Sequence, residues 1–85
     1  MSDKKPIAAH QCRAARAVLD WTRSDLAGRS GVSIATLADF ESGKRTPYDR
    51  TLADIEKALI EGGIQFIPEN GGGAGVRLAK RGDER

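Results

Sequence analysis

Apolar residues recur at helical spacing over most of this chain, and near its end the period shortens to two. Residues 7–20 are rich in Ala, Arg and Leu, which favour helix. Ala8, Cys12, Ala15 and Leu19 fall on one stripe there. The spacing predicts a first helix over 7–20, with Pro6 suited to its opening turn. In "WTRSDLAGRSG", Thr22 and Asp25 have the spacing of a reciprocal capping box, and Trp21 and Leu26 that of a hydrophobic staple. A second helix over 23–29 closes at Ser30-Gly31, where glycine supplies the positive φ of a tight exit. "GVSIATLADFESGKRTP" repeats the device. Ser33 caps, Val32 can staple to Leu37, Leu37 and Phe40 point inward, and Gly43 stops a third helix over 34–42. A fourth helix, from 49 or 50 to 61, carries Leu52, Ile55 and Leu59 on one face and ends at Gly62-Gly63.

Beyond Gly63, alternation replaces the helical period. "IQFIP" puts Ile64 and Phe66 on one side and Gln65 and Ile67 on the other, and "VRLA" alternates again after the glycine-rich "ENGGGAG". Strands over 64–68 and 76–80 are predicted. A lone two-stranded hairpin is barely stable in water, so this one must dock on the helices or pair with another chain. The pattern as a whole predicts a mostly α fold. A compact four- to five-helix bundle over 1–62 contains a helix-turn-helix, and a short C-terminal β-hairpin or strand pair follows over 63–80. Residues 1–5 read as frayed and 81–85 as a charged tail.

Composition narrows the function classes. The 85 residues suffice for one small domain. The single Cys12 cannot form an internal disulfide and reads as a small core residue. No apolar run is long enough to span a bilayer, and the N-terminal segment lacks the apolar stretch of a signal peptide. A cytoplasmic location without a membrane partner is therefore expected. Net charge is only +2 and the isoelectric point about 9.0. Basic residues nevertheless gather at 13–16, 44–50 and 77–85, which is compatible with nucleic acid without requiring it. His10 has no second metal-type ligand near it in sequence and is given no role. The "GGGAG" segment lacks the lysine and Ser/Thr of a phosphate-binding loop and reads as a turn. No paired acids, Ser–His or Cys–His set and no Cys/His cluster is visible, so no enzyme activity, cofactor or metal is expected.

Two short helices joined by a tight glycine-containing turn make a helix-turn-helix arrangement. In that geometry the first helix braces on the DNA backbone, and the second enters the major groove with its N-terminal residues at the base edges. The stretch "RAARAVLDWTRSDLAGRSGVSIATLADFESGKRTPYDRTLADIEKAL" resembles the phage-repressor and Cro-type helix-turn-helix domain, the Xre family, over about residues 13–59. The markers are Leu26-Ala27, Gly31-Val32-Ser33, Thr36-Leu37, Glu41, Gly43, Pro47 and Thr51-Leu52.

The resemblance implies a four- or five-helix bundle and a dimeric transcriptional regulator that binds double-stranded DNA. It places Arg23 at the first turn of the bracing helix. Ser33, Ile34, Ala35, Thr36 and Asp39 fall at groove-facing positions, and Ser42, Lys44 and Arg45 at the phosphate-contacting end. Arg50 extends the same surface. Arg16 and Glu41 match an internal ion pair of the family. The chain departs from the pattern at Ile34, Ala35 and Ala38, where relatives often carry Arg, Gln or Asn. Ile34 and Ala35 can touch only apolar groups such as the thymine methyl, which shifts expected readout to Ser33, Thr36, Asp39 and Arg23.

The expected function is sequence-specific regulation, most simply repression, by a homodimer on an inverted repeat with its recognition helices about 34 Å apart. The C-terminal strands are the expected dimer contact, through Ile64, Phe66, Ile67, Val76 and Leu78. Activation would instead need a contact with RNA polymerase or another regulatory protein. A different class of reading is an interaction module on the same scaffold, an antitoxin or anti-activator, with Ile34 and Ala35 facing a protein.

Overall fold

The computed structural model describes residues 6–79, so the expected fraying of 1–5 and the charged tail over 81–85 lie outside the described residues. Four helices precede a two-stranded antiparallel sheet: α1 (Ala9–Leu19), α2 (Arg23–Ser30), α3 (Ile34–Glu41), α4 (Asp49–Glu61), β1 (Ile64–Ile67) and β2 (Gly75–Leu78). The mostly helical class stands as expected, with four helices among the described residues.

Boundaries shift for identifiable reasons. Helix α1 opens at Ala9 rather than 7, because the chain before it is extended and Ile7 is drawn into the core. Gln11 supplies half of a capping box there, its Oε1 accepting from the Ala8 N–H at 2.8 Å. The helix closes at Asp20, which takes a left-handed φ of 61° that Asp tolerates better than most residues. The reciprocal box of α2 is formed: Asp25 N–H donates to Thr22 Oγ1 at 3.0 Å and Thr22 N–H to Asp25 Oδ2 at 2.9 Å. Hydrogen bonding from the backbone N–H of Thr22 first, and from its side chain second, lowers the Asp25 carboxyl from its ordinary value. Gly31, at φ 76°, gives the exit expected of it, and Ser33 caps α3.

Leu26, Leu37, Ile55, Leu59 and Ile64 are fully buried and make the centre of the core. Helix α1 packs on α3, α4 and both strands, while α2 packs on α3 and α4. Gly62 has a reason beyond ending a helix. Its φ of −78° is ordinary, but a Cβ there would lie 2.5 Å from Cη2 of Trp21. The turn into β1 is made by Gly63 at φ 115°.

The strands pair within the chain, Ile64 opposite Leu78 and Phe66 opposite Val76. They begin and end slightly off the expected 64–68 and 76–80. The hairpin docks on α1 and α4. Two side chains of α1 fasten its turn: His10 Nε2 lies 2.8 Å from the Ala74 carbonyl oxygen, and Gln11 Nε2 donates to that of Gly75 at 3.0 Å. Ile64 belongs to the core of its own chain at 2% exposure, which corrects its place among the expected dimer residues. Phe66 and Val76 pack partly on the same core, and Ile67 is half-buried. Leu78, at 61%, is the exposed member of that set.

Candidate nucleic-acid interface

The sequence of α3 divides its surroundings in two. Leu37, Phe40 and Glu41 face inward, and Ser33, Ile34 and Ala35 are exposed at its first turn. Ser33 is spent on structure: its Oγ accepts from the Thr36 N–H at 3.1 Å and donates to Thr36 Oγ1 at 3.0 Å. The hydroxyl hydrogen of Thr36 is thereby left to point elsewhere. Ile34 is 50% exposed and forms an apolar step at the start of the helix. Asp39 is half-buried, and its carboxylate has no hydrogen-bond partner among the described residues. It remains an acceptor suited to the amino group of cytosine or adenine.

The backbone carbonyl of Asp39 organises the segment after the helix. It accepts from the N–H groups of Lys44 at 2.9 Å and Arg45 at 3.2 Å, and from Ser42 Oγ at 3.2 Å. Gly43, at φ 81°, permits this fold-back. Lys44 and Arg45 are consequently exposed just past the end of α3, and Arg50 is exposed in the first turn of α4. Tyr48, the N-cap residue of α4, is 87% exposed between them.

Behind the outward face sits one buried carboxylate. Glu41, 1% exposed, accepts from Arg16 through Nε and Nη2, each at 2.7 Å, from Arg23 Nε at 2.9 Å, and from Cys12 Sγ at 3.1 Å. Arg16 also donates through Nη1 to the Trp21 carbonyl at 3.0 Å. Arg13 donates through Nη1 to the Glu41 carbonyl. Burial raises the Glu41 carboxyl, but the hydrogen bonds from Arg16, Cys12 and Arg23 outweigh it and hold the group at about 2. The Cys12 thiol is pushed well above its ordinary value, by burial first and by its bond to Glu41 second, so it is an inert core group.

The structure thus brings Arg16 and Glu41 together, as the resemblance implied. It also brings in Arg23, whose side chain is 42% exposed and whose two Nη groups make no hydrogen bond among the described residues. The sequence reading missed Arg13 and the donor role of Cys12. Arg13 and Arg16 are three apart, hence neighbours on α1, and that spacing was the available signal.

A helix-turn-helix family model matches residues 13–60, more than half of the chain. No curated protein matches it. The chain belongs to the helix-turn-helix family of the phage-repressor and Xre type, and it is a DNA-binding regulator.

Proposed function

We propose that this helix-turn-helix protein is a non-catalytic transcriptional repressor that binds an inverted repeat as a homodimer, with α3 in the major groove. The observation that carries the reading is the strip running from exposed Ser33, Ile34 and Ala35 past half-buried Thr36 and Asp39 to exposed Lys44 and Arg45, set on a helix whose other face is locked into the core. Thr36 and Asp39 supply polar readout, Ile34 and Ala35 favour thymine methyl groups, and the basic end holds phosphates. Repression needs only occupancy of a promoter, which this surface can provide.

Dimerisation is supported by where the remaining exposed apolar residues lie. Val18, Ile60 and Leu78 are each more than two-fifths exposed. Val18 and Ile60 sit in the last turns of α1 and α4, and Leu78 pairs with Ile64 just after α4. These ends meet, since Leu19 and Trp21 both lie against Gly62. A second copy covering this end would hide the apolar set and leave α3 to DNA.

Selection of bound duplexes from a random pool tests the reading. The parent should enrich two half-sites about 10 base pairs apart. Asp39→Asn should change one position in each half-site towards adenine, which Asn reads through two hydrogen bonds. Selection that yields no preferred sequence would defeat the proposal.

A further inference from the structure

Three guanidinium groups converge on Glu41 from two helices, and one carboxylate neutralises only one of them. Arg16 spends all three of its nitrogens on the protein, and its side chain is 19% exposed, so it is the internal partner. Arg13 and Arg23 each spend one nitrogen, on the carbonyl and the carboxylate of the same residue. Arg13 is exposed and Arg23 nearly half so. Two guanidinium groups are therefore tethered to one residue with unspent donors and no second acid bonded to either among the described residues.

We infer that Arg13 and Arg23, both anchored on Glu41, form a two-arginine seat for one DNA phosphate at the C-terminal end of α3. The inference rests on the DNA-binding reading and adds a contact from α1. A phosphodiester carries one negative charge on two terminal oxygens, and guanidinium forks match such oxygens in pairs. An anion bound by both also offsets the repulsion between two like charges tethered to one residue. Position agrees with chemistry. The Glu41 carbonyl that Arg13 grips lies just before the Ser42-to-Arg45 segment, so the seat and the exposed Lys44 and Arg45 occupy one end of α3. Glu41 acts here as a positioning residue: it fixes where both arginines stand without touching DNA.

The test is the dependence of duplex affinity on salt, measured by anisotropy with a selected duplex and a scrambled one. Arg13→Gln combined with Arg23→Gln should lower the slope of log affinity against log salt by about one unit and weaken both duplexes by a similar factor, and Arg13→Gln alone should lower it by part of that. Arg13→Lys should keep the slope. Arg16→Gln should lower the melting temperature and keep the slope, which separates a structural loss from a lost phosphate. An Arg13→Gln protein that melts like the parent and retains its slope overturns the seat alone. A parent that binds neither duplex overturns the DNA reading and the seat with it.

Discussion

A carboxylate almost without solvent is costly to keep charged, and Glu41 stays charged because four donors surround it. Its carboxyl is held at about 2 in the fold against an ordinary 4.5. The stability it contributes is therefore present above 4.5 and is lost as pH falls through about 2. The difference corresponds to about 3 kcal/mol. Asp25, also lowered, acts in the same direction. Denaturant titrations from pH 7 to 2 should show the parent losing most of this increment below pH 4.5. Glu41→Gln should be destabilised by about 3 kcal/mol at pH 7, since it leaves the guanidinium groups without their counter-charge, and its acid profile should be flatter. Equal slopes for the two proteins between pH 4.5 and 2 would refute this account. Little of the cluster was legible in the sequence. The pair Arg16–Glu41 came from a family resemblance, and its partners Cys12, Arg13 and Arg23 lie 18 to 29 residues from Glu41. Contacts at such separation leave no local periodicity to read.

At the scale of elements, the legible part is the part that local chemistry decides. Thr22 and Ser33 set the starts of α2 and α3 through bonds to residues three positions on, and Gly31 sets the turn between them. Such signals lie within one turn of sequence and can be read from it. The hairpin shows the opposite case: alternation located its strands but not their docking. That depends on Gln11, a buried polar residue of α1 whose side chain bonds both Ala8 and Gly75. It also depends on His10 against Ala74. Gln11→Ala leaves those backbone groups unmatched and should lower stability by about 1–3 kcal/mol. Amide exchange should locate the loss. Protection should fall in β1, β2 and the first turn of α1, while α2 and α3 keep theirs. A uniform fall across all elements would mean that the hairpin opens only with the whole domain.

At the scale of the molecule, the burial of Ile64 changes how assembly must be tested. Removing residues 63 onward would take away a core residue along with any contact surface, so loss of a dimer in such a truncation would be ambiguous. A point change at the exposed apolar end is cleaner. Leu78→Asp places a charge where the side chain is 61% exposed and its own chain needs little from it. The monomer should keep its helical spectrum and nearly its melting temperature, since surface substitutions usually stay within about 0.5 kcal/mol. A second copy could not bury that carboxylate without a partner. Light scattering should then report a mass near 9.1 kDa where the parent reports twice that value. Affinity for the inverted repeat should fall to that for a single half-site, because joining two modules raises avidity about 100-fold or more without any new contact. A Leu78→Asp protein that remains dimeric and binds the repeat like the parent would move the dimer contact to another face, and a parent monomeric at the concentrations that saturate its operator would remove the homodimer from the proposal.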